Sequence, residues 1–159
     1  MNKAIIEDIN KNYLQAIELY EQNLQSKIVN IEDYINLSFI YWATAALEFE
    51  FNVPNQIPSK ISIIGGKRFL HIVDEGILCF PESAELKFWK MYYNYRLFSD
   101  KFSERDCLEI LEKNKKKSLV PYFFLQMFNK EIYKKETQLL KGLCEDEQTA
   151  KNLYILSFL

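Results

Sequence analysis

The stretch that decides the fold is residues 31–51, IEDYINLSFIYWATAALEFEF. When it is drawn as a helix, its apolar residues fall on all sides, which is typical of a helix buried by several neighbours. Asn30 precedes it and Asp33 follows three positions later, a pattern typical of a helix N-terminus. We therefore expect residues 31–51 to form a central helix that the other helices surround.

The rest of the chain is predicted to be helical as well. The 159 residues include only four Gly and four Pro, too few turn residues for a sandwich or barrel of this size. They also include 12 Phe, 10 Tyr and 2 Trp, enough ring surface to form a substantial core. We predict an all-α fold in one domain, residues 1–159, with seven or eight helices in antiparallel hairpins. A tetratricopeptide-like array and an irregular helical bundle both fit this description.

Periodicity and capping residues place the other helices. An amphipathic stripe predicts one helix over residues 3–25. Ser83 is the expected cap of a second helix over 84–98, and a capping box at residues 103–106 is expected to open a third. A further helix is predicted over 119–133.

Glycine, proline and aspartate predict where the chain breaks. Pro54 and Pro58 make residues 52–59 the longest break. Gly65-Gly66 is expected to break the chain again, just before a helix. Near the C-terminus, Gly142 is expected to end one helix and Asp146 to cap the last.

One segment resembles a known repeat family. Between residues 66 and 114, one predicted helix ends at Cys79-Phe80-Pro81 and the next begins at Ser83. A turn at residues 100–102 then leads to a partner helix, and Gly76 offers a small residue for close packing. This arrangement resembles tetratricopeptide-like hairpins, whose period is about 34 residues. The resemblance implies stacked helical hairpins with a groove for a peptide, as in an adaptor or secretion chaperone.

The general character of the chain suggests a second resemblance. It is small, all-α and free of catalytic motifs, and in this it is similar to bacterial immunity proteins. That resemblance implies a protein that neutralises a cognate toxin by direct binding.

Residues suited to catalysis are sparse. His71 is the only histidine, and Asp74 and Glu75 follow about one helical turn later. Such a group would suit an acid–base pair or half a metal site, but it is more typical of an ordinary helix surface. The three cysteines are far apart and lack ligand spacing, which indicates reduced, buried thiols. We therefore expect no enzyme, no cofactor and no metal site.

Two basic motifs have some of the features of anion sites. Gly65-Gly66-Lys67-Arg68 lacks the spacing of a phosphate-binding loop, and a turn followed by solvated charges is the favoured interpretation. The lysines of residues 113–117 are interpreted as a helix end, where cations meet the negative end of the helix dipole. Nucleic acid is therefore not the expected partner. The reduced thiols favour a cytoplasmic chain, and because no apolar run is long enough to span a membrane, we expect no membrane partner.

The predicted working surface combines aromatic and acidic residues. Tyr, Trp and Arg are frequent anchors of protein interfaces, and the helix at 84–98 is rich in them. Residues 1–112 carry a net charge of −6 and residues 113–159 a net charge of +4, so acidic helix faces could meet a basic partner. We expect another protein, such as a basic toxin, to contact Trp89, Tyr92, Tyr95, Arg96, Glu48, Glu50, Glu109 and Glu112. This favours an immunity protein or antitoxin, with the peptide-binding adaptor or chaperone as the alternative.

Overall fold

A computed structural model describes residues 2–159, and the predicted all-α fold is confirmed there. The described residues form no β-strand; one isolated parallel bridge joins Ser83 and Lys116. Within residues 2–159, eight α-helices have seven residues or more, in agreement with the predicted number. The helices are α1 Lys3–Ile9, α2 Tyr13–Leu24, α3 Ile31–Ala46, α4 Ser59–Cys79, α5 Ala84–Phe98, α6 Glu104–Lys113, α7 Tyr122–Leu125, α8 Lys134–Asp146 and α9 Ala150–Leu156, with a π-helix at Glu48–Asn52 between α3 and α4.

The centre of the fold is α3, as the sequence predicts. Every residue from Asp33 to Thr44 is buried, and α1, α2, α4, α5 and α9 contribute side chains to the core around it. The cap is the predicted one, because the Asn30 side chain accepts a hydrogen bond from the Glu32 backbone N–H. The helix ends at Ala46, however, five residues before the predicted boundary.

The longest helix, α4, corrects the expected break at Gly65-Gly66. It continues through both glycines because Gly65 lies directly against α3. A Cβ atom on Gly65 would stand only 2.3 Å from Thr44 Oγ1 and 2.6 Å from the Tyr41 carbonyl oxygen. Thus Gly65 marks a close helix–helix contact rather than a turn.

The expected close packing at Gly76 is observed. A Cβ atom there would stand 3.0 Å from Tyr34 Cβ and 3.1 Å from Leu86 Cδ2. Gly76 therefore meets the start of α3, whereas Gly65 meets its later turns. The two contacts show that α4 runs antiparallel to α3.

The predicted single helix over residues 3–25 is wrong, because the chain folds back within it. Lys11 takes a left-handed conformation with φ 62°, so α1 and α2 form a hairpin. The hairpin buries the carboxylate of Asp8, which accepts a hydrogen bond of 3.0 Å from the Tyr20 hydroxyl. This tertiary contact outweighs the local helical periodicity.

The capping predictions for α5 and α6 are confirmed. Ser83 accepts a hydrogen bond from the Leu86 backbone N–H, so α5 begins at Ala84. Ser103 and Asp106 form the complete capping box that begins α6.

The C-terminal predictions need correction. Only Tyr122–Leu125 of the predicted 119–133 helix is α-helical, because Phe123 and Phe124 enter the core and the chain turns on both sides of them. Gly142 lies inside α8 and does not end it. The last helix is capped by Thr149 instead of Asp146, since the Thr149 hydroxyl accepts from the Asn152 backbone N–H.

Candidate interaction surface

The aromatic face of α5 lies mostly in the core. The structure therefore corrects the prediction that Trp89 and Tyr92 contact a partner. Trp89 is fully buried and Tyr92 is 2% exposed. Segments from the C-terminal third cover this side of α5, and the ring of Phe123 lies 5.8 Å from Trp89 and 5.3 Å from Tyr92. A partner cannot reach either ring while the fold is intact.

The end of α5 reaches the surface through Arg96. Its Nη1 donates hydrogen bonds to the hydroxyl oxygens of Tyr92 and Tyr154, at 3.3 and 3.2 Å. The two hydroxyls are themselves 2.6 Å apart. Tyr95 is half-buried against Phe124, with ring centroids 5.6 Å apart. Of the four predicted α5 residues, only Arg96 and part of Tyr95 are accessible.

The predicted acidic residues of α6 are paired within their own helix. Glu109 accepts from Lys113 at 2.9 Å and from Arg105 at 3.2 Å, and these hydrogen bonds hold the pKa of Glu109 below its usual range. Glu112 lies 3.7 Å from Arg105. A basic partner would therefore meet a face of mixed charge.

Glu48 and Glu50 lie in a different setting, on the π-helix. Within residues 2–159 neither carboxylate takes part in an ion pair, and both side chains are exposed. Phe49 stands between them with 79% of its surface exposed. We call residues 48–57 the ridge, because Phe49 and Val53 project from it while Phe51 packs inward on Tyr13, 4.8 Å between ring centroids.

A break in α3 produces the ridge. At Leu47 the backbone leaves the α conformation, with φ −122° and ψ 58°. The Val53 N–H then donates to the Glu48 carbonyl at 3.0 Å, the five-residue spacing of a π-helix. Such single π-turns occur frequently at functional sites.

Three depressions flank the ridge. The largest, about 890 Å³, lies between α1, α2 and residues 55–57, and the exposed Ile6 and Leu14 contribute to its lining. A second, about 330 Å³, lies between the ridge and α9 and is lined in part by Glu50 and Tyr154. The third, about 420 Å³, we call the α4 groove; its lining includes Glu48, Asn52, Val53, Ser62 and Ile63.

An unsatisfied polar group lies in the lining of the α4 groove. Asn52 is 7% exposed; its Nδ2 donates to the Thr44 carbonyl at 2.7 Å, but its Oδ1 accepts no hydrogen bond within residues 2–159. A buried acceptor without a donor costs about 1–3 kcal/mol. Because this oxygen is itself buried, its lack of a donor bears on the stability of the fold and not on contact with a partner.

Sequence reasoning found the two acids of this surface but missed its apolar and amide residues. Phe49, Asn52 and Val53 were assigned to the central helix or to the break that follows it. The available signal was the Glu-Phe-Glu order of residues 48–50, in which a large ring stands between two charges.

His71, Asp74 and Glu75 lie one turn apart in α4, but within residues 2–159 they form no ion pair with one another. His71 is exposed, and Asp74 forms an ion pair with Lys90 of α5 at 2.6 Å. Residues 2–159 contain no group of three His, Cys, Asp or Glu side chains placed to hold a metal ion. Cys107 and Cys144 are buried as predicted, whereas Cys79 is exposed, which corrects the expectation for that thiol.

The basic motifs serve structural contacts. Arg68 makes two hydrogen bonds to Glu21, at 2.8 and 2.7 Å, and Glu21 also accepts from the Tyr41 hydroxyl. Lys117 donates to the carbonyl oxygens of Leu111 and Glu112 at the end of α6, so the helix-end interpretation of the lysines is supported. No helix within residues 2–159 has the length and apolar character needed to cross a membrane.

The chain is therefore all-α, and its ridge, which carries both exposed acids and exposed apolar side chains, lies beside three depressions. Comparison of the chain with protein-family models, with curated proteins and with solved structures gives no match.

Proposed function

We propose that this chain is a non-catalytic protein-binding module that neutralises a basic protein, as an immunity protein or antitoxin does, and that the ridge is its contact surface. The observation that carries the proposal is Phe49, an exposed ring between two carboxylates that have no ion-pair partner among the described residues. Large rings are common interface anchors. Unpaired carboxylates favour a partner of opposite charge.

The energetics of the ridge support a specific contact. An exposed phenylalanine contributes little to folding but about 2 kcal/mol or more when it enters a partner's pocket. Val53 and Ile63 extend the apolar area beside it, being 63% and 62% exposed.

A peptide-binding adaptor or chaperone is the second candidate. It draws support from the largest depression, whose open, partly apolar lining between α1, α2 and residues 55–57 would suit an extended segment. In that case the occupant would be a short peptide rather than a folded basic domain.

The decisive experiment places a photo-crosslinking phenylalanine analogue at position 49 in the full chain and in its native host. A matched variant carries the analogue at Leu78, which is 81% exposed at the end of α4. We expect a basic protein to cross-link from position 49 but not from position 78. Recovery of the same proteins from both positions, or of none from position 49, contradicts the proposal.

The captured protein then allows a functional test. Its expression alone should arrest growth, and co-expression of this chain should relieve the arrest. Phe49→Ala combined with Glu48→Lys and Glu50→Lys should abolish relief, whereas Leu78→Ala should not. If the captured protein is harmless and binds through a short peptide segment, the adaptor candidate replaces the neutralising one.

A further inference from the structure

Helix α8 is covered on only one side. Leu140 and Cys144 face the core and are buried, whereas Leu139 and Leu143 are 55% and 58% exposed. The two exposed leucines are four positions apart, so they lie on the same face of the helix. Ile132, just before the helix, is also exposed.

Gly142 lies on this exposed face, and nothing in its own chain explains it. A Cβ atom at Gly142 would meet no other atom within 4 Å. Glycine inside a helix costs about 1 kcal/mol relative to alanine. The absence of a side chain at Gly142 would let a second helix approach this face closely. The same absence at Gly65 lets α4 lie directly against α3.

The charges of α8 run against its own dipole. Lys134 and Lys135 are in the first turn, where the partial positive charge of a helix lies, and Glu145 and Asp146 are in the last turn, which holds no base. Glu136 is the only acid of the first turn. None of these five side chains forms an ion pair within the described part of the chain.

A second α8 packed antiparallel would offset these unfavourable charges. It brings the basic first turn of one helix beside the acidic last turn of the other, and it opposes the two dipoles. The pairs Leu139–Gly142 and Lys135–Asp146 have the same midpoint in the sequence. One register therefore seats Leu139 over Gly142 of the second copy and places Lys135 opposite its Asp146.

We propose that two copies of this chain associate through α8 about a two-fold axis, with the leucine face at the centre and lysine–carboxylate pairs at both ends. Two-fold symmetry makes the contact closed and self-complementary, the commonest arrangement of homodimers. This inference does not depend on the proposed function, since the ridge contributes no residue to it.

Charge reversal and restoration in the full-length chain test the inference, with sedimentation equilibrium as the measurement. Lys135→Glu and Asp146→Lys should each weaken dimerisation at least about tenfold, because symmetry turns two attractive pairs into repulsive ones. The double variant should recover dimerisation, and Lys27→Glu, in an exposed turn far along the chain, should leave it unchanged.

A change at Gly142 separates the contact from the stability of the helix. Gly142→Gln should abolish the dimer while raising the thermal midpoint of the monomer, because glutamine favours the helix but blocks the close approach. A wild-type chain that stays monomeric at all soluble concentrations overturns the inference. So does a double charge variant that fails to dimerise although its circular dichroism is native.

Discussion

The ammonium group of Lys151 lies 2.9 Å from the carboxylate of Glu85, and both side chains are largely buried between α9 and α5. Ser118 and Trp89 also donate hydrogen bonds to Glu85. Burial alone would raise the pKa of Glu85, but Lys151 and these hydrogen bonds outweigh it and lower the pKa. Burial likewise acts to lower the pKa of Lys151, and the carboxylates of Glu85 and Glu32 raise it above its usual value. The pair therefore joins the two helices as ions.

Breaking this pair should destabilise the fold strongly. Glu85→Gln or Lys151→Met should each lower the free energy of unfolding by about 3–5 kcal/mol, because the remaining ion would be buried without a partner. Urea denaturation at neutral pH measures the change. The control is Lys90→Met, which removes an exposed pair with Asp74 and should cost less than about 1 kcal/mol. Equal losses in the buried and exposed variants would contradict the prediction.

Asp8 should make the protein less stable as the pH rises. Burial raises the pKa of Asp8 from 3.8 to about 6, although hydrogen bonds from the Ala150 backbone and Tyr20 oppose the shift. Between these two values the folded state binds more protons than the unfolded state, so stability falls with rising pH and levels off above about 6. The total loss attributable to Asp8 is about 3 kcal/mol.

The variant Asp8→Asn isolates this effect from other titrating groups. Unfolding free energies of both proteins, measured from pH 3 to pH 8 in steps of about one unit, give their difference at each pH. The stability of the variant relative to the wild type should improve by about 3 kcal/mol across the interval from 3.8 to 6. A difference that stays constant with pH would show that Asp8 titrates normally.

The two adjacent glycines of α4 should respond oppositely to alanine. Gly65→Ala should cost about 3 kcal/mol or more, because the new methyl group would overlap Thr44 and the Tyr41 carbonyl. Gly66→Ala should stabilise the protein by up to about 1 kcal/mol, since its nearest neighbour, Ala45 Cβ, is 3.7 Å away. Thermal unfolding of both variants decides the matter, and similar effects at the two positions would refute the close contact.

The acids of the ridge should affect the rate of association with the partner more than the acids of α6 do. Glu48→Lys with Glu50→Lys should slow association at least about tenfold at low salt, and the difference should shrink at high salt. Glu109→Lys with Glu112→Lys makes the same change in net charge but should slow association less, because α6 contributes no residue to the ridge. Stopped-flow measurements at several ionic strengths give both rates. A larger effect from the α6 variant would move the contact surface to that helix.

Local signals explain the parts of the fold that were predicted well. The caps at Asn30, Ser83 and Ser103 act within a few residues, so the starts of α3, α5 and α6 can be read from the chain itself. The apolar residues on all sides of the predicted helix also identify the buried centre, because no single neighbour can cover all its sides.

Helix packing and the exposure of single residues were only partly predictable, because both depend on contacts between residues far apart in the chain. Gly65 and Tyr92 are two examples. The local sequence predicts a turn at Gly65, but this glycine packs against Thr44, a residue 21 positions away. Residue type predicts an exposed anchor at Tyr92, but its hydroxyl lies within hydrogen-bond distance of the Tyr154 hydroxyl, 62 positions later in the chain. Neither contact leaves a trace in the local sequence.

The sequence by itself determined that this chain is helical, where its capped helices begin and which helix lies at the centre, because these properties depend on neighbouring residues and on apolar periodicity. The tertiary structure alone decided which side chains remain at the surface. It buried Trp89 beneath Phe123 and exposed Phe49 on a π-helical ridge. Burial is fixed by segments distant in the chain, so residue type alone could not distinguish the ring that packs in the core from the ring that is free to bind.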